Sequence, residues 1–174
     1  MKNPFKKSYS VKEMNLFRFL TRSKLFEKLS NDELAPFLPH LHLRRFKCQE
    51  VIFFRGDPAQ AFYLIKSGVI ALNLDIKDKF EILTRLRSGA FGEDALMQHT
   101  KRSYNAIVES DSCELYIIPQ ANFFEVFDQN VIIKAKVLSS LAELYHQYNT
   151  NLFRAYKSSY GFFEVNKIYT MDDE

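Results

Sequence analysis

The sequence predicts a mainly β protein, a roll or barrel of short strands with helices at both ends. Three observations carry that expectation. Between Leu43 and Pro119, short apolar runs recur about every 8–12 residues with turn residues between them, the rhythm of an all-β roll. On either side of that stretch the apolar period becomes helical. The 174 residues are 47% hydrophobic and 26% charged, values of one globular domain large enough to bury a core.

Taken in order, residues 1–42 form an N-terminal helical segment. Val11, Met14, Phe17, Leu20, Leu25 and Leu29 stand near helical spacing across 11–29, with basic residues between them. Ser30-Asn31-Asp32-Glu33 is an N-cap cluster opening a short helix from Asp32 to Leu38, which Pro39 stops. Residues 43–119 hold the roll. Its expected strands are Leu43–Lys47, Val51–Arg55, Ala61–Ser67, Val69–Ile76, Phe80–Leu86, Ser103–Val108 and Cys113–Ile118, with a hairpin tip at Lys77-Asp78-Lys79. Residues 120–156 return to helix: an amphipathic Gln120–Asp128 with Phe123, Phe124 and Phe127, then a longer helix over 131–156. On that helix Val131, Ala135, Leu138, Ala142, Tyr145 and Leu152 make a heptad-like seam suited to a dimer contact. Residues 157–174 are a tail with Tyr160, Phe162 and Phe163 clustered ahead of an acidic end.

Composition narrows the function. A net charge of +3 is too small to argue for nucleic acid. Residues 1–26 carry seven cations against Glu13 alone, a local +6 that reads first as a solvated helix face and second as a contact for an acidic partner. Cys48 and Cys113 make neither a disulfide framework nor a zinc site, and each sits in an apolar strand-like setting that predicts burial. His40 and His42 form an HxH, but the following positions hold Arg45 and Phe46 where a metal-binding roll needs a carboxylate. No secretory signal, no apolar run long enough to span a bilayer and no hydrolase motif is visible, so a non-enzymatic cytoplasmic protein is expected.

The stretch with chemistry in it is Leu86 to Val108. Arg87-Ser88-Gly89 is a tight turn, and Gly92 follows three residues later. Two of the five glycines fall here, which suits a backbone lying close against something else. Glu93 to Met97 reads as one helical turn, and Arg102 stands just before the next strand. A helix start beside an arginine fork is a receptor for a small anion such as a phosphate, and a nearby acid accepts from a sugar hydroxyl.

Phe91-Gly92-Glu93-Asp94-Ala95-Leu96-Met97, followed by Arg102-Ser103, resembles the phosphate-binding cassette of the cyclic nucleotide-binding domain family. The likeness extends upstream through Phe54-Arg55-Gly56-Asp57 and Ala61–Gly68, and spans roughly residues 25–149. It implies an antiparallel β jelly-roll, a double-stranded β-helix of cupin-like type, with N-terminal helices and a C-terminal helical lid. It further implies a cAMP or cGMP ligand and no cofactor or metal. Arg102 is then the phosphate ligand and Glu93 the acceptor from the ribose 2′-hydroxyl. Phe91, Gly92, Asp94, Ala95, Ser103 and Tyr104 line the cradle, with the Ala95 and Ser103 N–H groups and the Ser103 hydroxyl as donors. Ser139 and Ser140 are expected at the base edge. The tail aromatics read first as packing on the roll exterior and second as a lid over a bound base. The dull alternative for Arg102 is a surface ion pair with Glu109 or Asp111.

Three departures stand out. Tyr104 replaces the family's usual alanine, so its phenol must point away or crowd the pocket. Gln49 replaces a turn glycine, and Asp94 adds a second acid beside the phosphate site. No DNA-binding unit is legible after the long helix. The first reading is a sensor that passes ligand occupancy to its C-terminal helix and an unidentified effector, with a homodimer through 131–156. The alternative is a degenerate roll serving as a protein-interaction module.

Overall fold

The computed structural model describes residues 8–76 and 79–160. The hairpin tip at Lys77-Asp78, the lysines at 2, 6 and 7, and the aromatic pair Phe162 and Phe163 lie outside the described residues. Helix α1 spans Val11–Leu20 and α2 spans Asn31–Leu34. Strands β1 (His42–Lys47), β2 (Val51–Phe53), β3 (Ala61–Ser67), β4 (Ile70–Ile76), β5 (Lys79–Leu86), β6 (Ala90–Phe91), β7 (Asn105–Val108) and β8 (Ser112–Pro119) follow, and then α3 (Gln120–Gln129) and α4 (Val131–Tyr160).

Both N-terminal helices start on reciprocal capping boxes, in which Ser10 and Ser30 bond the backbone of Glu13 and Glu33 while each carboxylate returns to the cap N–H. The expected helix over 11–29 ends at Leu20. Beyond it, bonds of i to i+3 type, Ser23 N–H to Leu20 O and Phe26 N–H to Ser23 O, wind the chain into turns that swing Phe26 inward. Pro39 does not stop the next element either: it sits inside a 3-10 helix over Ala35–His40, a tighter winding that can take a proline.

The strands form two four-stranded antiparallel sheets, β1-β8-β3-β6 and β2-β7-β4-β5, which close into the jelly-roll. Strand β3 explains how the roll meets the helices. Its odd positions, Tyr63 and Ile65, pack into the roll among Phe53, Leu72, Phe91 and Val108. Its even positions, Phe62 and Leu64, are 0% and 1% exposed on the other face, against Phe26, Phe123 and Ile118. A strand covered on both sides needs apolar residues at every position, and AFYLI supplies them. Phe123 lies within 5.3–6.0 Å, centroid to centroid, of Phe37, Phe62, Phe26 and Phe127, at the centre of that outer core.

Helix α4 begins on Asn130, whose Oδ1 accepts from Ile132 and Ile133 N–H. The stripe it buries is Ile133, Val137 and Leu141, and of the heptad seam Leu138 and Tyr145 pack partly against the same core. Val131 and Leu152 of that seam are 73% and 62% exposed. Lys136 pairs with Glu33 at 2.7 Å and Lys28 pairs with Glu143, tying α4 to the N-terminal helices. Cys113 is buried, but Cys48 is exposed: it stands in the turn after β1, one residue before Gln49, which takes φ +63 in place of a glycine. Among the described residues, no helix is long and apolar enough to cross a membrane.

Candidate functional site

The site is assembled at the mouth of the roll where β6 runs into a short 3-10 helix, Glu93–Leu96. Gly92 caps that helix at φ +78, ψ 32. A Cβ there would lie 2.9 Å from Arg102 Nη1 and 3.1 Å from Tyr63 Cδ2, so both conformation and space call for glycine. The turn is fastened from three sides. Thr100 Oγ1 donates to Asp94 O at 2.6 Å, and Gln120 Nε2 from α3 donates to both Ala95 O and Met97 O.

Arg102 points into the protein and is 3% exposed. Its backbone is gripped by the Gly56-Asp57 turn: Gly56 N–H donates to Arg102 O at 2.9 Å, and Arg102 N–H donates to Asp57 O at 2.8 Å. Asp57 in turn closes its own loop by accepting from Phe54 N–H through Oδ2. The guanidinium lies 4.2 Å from the centroid of Phe53 and 5.7 Å from that of Tyr63, within reach of both ring faces. Nη1 donates to Gly92 O at 3.0 Å, Nη2 donates to Ala61 O, and the buried Nε has no partner. No carboxylate of a described residue pairs with it. The surface alternative therefore fails, and Glu109 pairs instead with Arg85 at 2.8 Å.

Glu93 and Asp94 are both 7% exposed. Burial holds the Glu93 carboxyl above its ordinary range, and the neighbouring Asp94 charge adds to the rise while its own N–H opposes it. Tyr104 crowds the pocket. The alternation that sends Ala106 and Val108 into the roll also sends Tyr104 inward. Its ring centroid is 5.7 Å from that of Phe53. Its oxygen accepts from Gly92 N–H at 3.0 Å and donates to Glu93 Oε2 at 3.3 Å. Burial and then the Glu93 charge push this phenol far above its usual ionisation, so it stays a donor.

Other expected contacts sit differently. Ala95 N–H is taken by Gly92 O at 3.1 Å, which closes the 3-10 turn and removes one expected cradle donor. Ser103 is exposed, and its hydroxyl donates to Asp94 Oδ1 at 3.3 Å, which leaves Asp94 Oδ2 without a partner. Ser139 is exposed beside Glu143, and Ser140 is buried with an unpartnered hydroxyl. The α4 residues that share a cavity of about 170 Å³ with Glu93, Gly89 and Lys24 are Leu144 and Tyr148. Burial and the Glu93 charge raise Tyr148 to about 12, and the same two causes, with Asp94, raise Tyr145. Phe53, Thr100 and Gln120 line the candidate site and were missed by sequence reasoning, and Asp57 and Tyr63 entered only within quoted motifs. Among the described residues, no group of three or more His, Cys, Asp or Glu gathers as a metal cluster.

Among the described residues, then, the Gly92 turn of the jelly-roll holds a buried arginine that bonds two carbonyls and pairs with no carboxylate. The chain belongs to the cyclic nucleotide-binding domain family, whose model matches residues 43–130. Among its relatives, Glutaminase 1 of Bradyrhizobium diazoefficiens is 29% identical over 126 residues, 72% of this chain and 20% of that protein. The cAMP-dependent protein kinase regulatory subunit of Hypocrea atroviridis is 30% identical over 93 residues, 53% of this chain and 20% of that protein. The chain thus spans about a fifth of the length of these curated relatives. The regulatory domain of Toxoplasma gondii PKA, crystallised with cAMP, shares the fold at a TM-score of 0.62 and 21% identity, over 69% of this chain and 46% of that one.

Proposed function

We propose that this chain is a cyclic nucleotide sensor: a 3′,5′-cyclic phosphate enters the roll beside Gly92, and its ribose faces Glu93. The observation that carries this reading is Arg102, a guanidinium 3% exposed with an unsatisfied Nε–H and no ion-pair partner among the described residues. A buried charge without a partner costs several kcal/mol, and a phosphate monoanion at that position removes the cost. The guanidinium already stands on an aromatic floor and is held by two carbonyls, so it needs no large reorganisation to meet two phosphate oxygens.

Occupancy reaches α4 through the cavity wall that Glu93 shares with Leu144 and Tyr148. The ligand shifts that helix only by its difference in affinity for the two arrangements. The exposed Val131, Ala135, Ala142 and Leu152 leave a seam on α4 that supports a homodimer as the receiving assembly. Whether cAMP or cGMP is preferred is decided at the base edge.

Isothermal titration of the chain with cAMP and with cGMP, repeated on Arg102→Met, tests the reading. Heat with at least one nucleotide that vanishes in the variant is expected, and no heat with either nucleotide sinks it. A second reading rests on Tyr104, whose hydroxyl fills the cassette: the roll serves as an interaction module without nucleotide. Retention of a protein partner by a chain silent in the titration supports that reading instead.

A further inference from the structure

We infer that Tyr104 is a built-in occupant of the sugar-hydroxyl position of this pocket, and that it makes the chain indifferent to the 2′-hydroxyl of its ligand. The inference rests on the nucleotide reading above and specifies which ligands that site accepts.

A ribose hydroxyl that docks on Glu93 is a two-way group: it donates to the carboxylate and accepts from a nearby N–H. The Tyr104 oxygen does both already, accepting from Gly92 N–H at 3.0 Å and donating to Glu93 Oε2 at 3.3 Å. The phenol reaches this point because Tyr104 follows the inward alternation of β7, and its ring is fixed against Phe53 in the inner core. Glu93 is 7% exposed, and apart from Tyr104 it borders the cavity it shares with Leu144 and Tyr148. The site therefore presents a turn N–H and one carboxylate oxygen, Oε2, that are hydrogen-bonded before any ligand arrives.

The consequence follows from hydrogen-bond exchange. A ligand hydroxyl that displaces the phenol makes two bonds and breaks two, so its net gain is close to nothing. A ligand without that hydroxyl leaves the phenol in place and breaks none. In most settings a hydrogen bond to a charged acceptor discriminates by roughly ten- to a hundred-fold. Here that discrimination is absent, because the competitor is tethered in the pocket. The ligand class is thus the 3′,5′-cyclic nucleotides with or without a 2′-hydroxyl, held by the phosphate at Arg102.

The test measures dissociation constants of cAMP and 2′-deoxy-cAMP, and of the cGMP pair, for the wild-type chain and for Tyr104→Phe. The variant keeps the ring against Phe53 and removes only the hydroxyl. The wild-type ratio of ribo to deoxy affinity is expected near one, rising to roughly ten or more in favour of the ribo form in Y104F. A wild-type preference of tenfold or more for the ribo ligand overturns the inference. So does a ratio near one in both proteins, and in either case the nucleotide reading survives. Folded chains that bind none of the four ligands, wild type or variant, remove the nucleotide reading and this inference with it. Should Y104F fail to fold, a wild-type ratio of tenfold or more still refutes the inference, and Tyr104→Leu takes the place of Y104F in the comparison, with the same rise in the ratio expected and a ratio near one in both proteins overturning it.

Discussion

Arg102→Met separates a receptor arginine from a structural one. In the ligand-free protein, the substitution removes two charged donors to Gly92 O and Ala61 O, each worth about 1.5–3 kcal/mol, and a stack on Phe53 worth about 0.5–2 kcal/mol. Against this stands the desolvation of a guanidinium 3% exposed with no ion-pair partner among the described residues, a cost of several kcal/mol that the apolar methionine does not carry. Gly92 O also keeps a second donor, Ala95 N–H, so it is not left bare. The two sides offset, and urea unfolding should move by no more than about 1–2 kcal/mol. Binding should not be spared in the same way. A phosphate facing a thioether loses its buried partner at about 3–5 kcal/mol, a weakening of at least roughly a hundred-fold in titration calorimetry. A variant that unfolds more than about 3 kcal/mol too easily, yet binds nucleotide as before, would falsify the receptor role and leave Arg102 as a brace for the Gly92 turn.

Gly92→Ala places a Cβ at φ +78 and 2.9 Å from Arg102 Nη1, so it should cost about 2 kcal/mol or more in the denaturant midpoint and weaken nucleotide binding as well. Phe123→Ala empties the centre of the outer core, where four phenylalanines meet it, and should cost about 3–5 kcal/mol by urea unfolding. Glu93 is held above 4.5 by burial, so the folded state binds its proton more tightly than the unfolded state does. Its contribution is present in full below pH 4.5 and declines as pH rises through the folded value. Glu93→Gln should flatten that decline in a pH series of urea midpoints, and an unchanged slope over the window would count against a buried carboxyl.

Strands were legible because the roll alternates short apolar runs with turn residues, and the observed β3 has the very ends expected from Ala61–Ser67. Strand β6 was not, since Ala90-Phe91 is two residues long and no period exists in two residues. The end of α1 was hidden for a different reason. Leu25 and Leu29 keep a helical step while their backbone has left the helix, because the turns at Ser23 and Phe26 happen to aim them at the same core. Cys48 looked like a buried strand residue by its neighbours, yet the left-handed Gln49 beside it marks a turn that faces water.

The candidate site was picked out by motif spacing, and its electrostatic state is set by geometry that spacing does not encode. Gly92 and Arg102 are ten positions apart in the chain, and that distance says nothing of which way the guanidinium faces. The decision falls to the Gly56-Asp57 turn, which holds the Arg102 backbone in both directions, and to Phe53, whose ring sits 4.2 Å from the charge. A lysine in that place would lose the planar fit to the ring and one of the carbonyl bonds, although it would keep the charge. Tyr104 was recognisable as an oddity from sequence, but only its inward parity turns that oddity into a competitor for Gly92 N–H and Glu93. The same chain therefore holds a buried guanidinium with a spare Nε–H, the group the proposal gives to a phosphate, and a hydroxyl position already occupied by Tyr104. On the proposed reading those two features differ in strength: a buried charge with no ion-pair partner among the described residues outweighs an exchanged hydrogen bond by several kcal/mol, so the phosphate rather than the ribose would anchor the ligand.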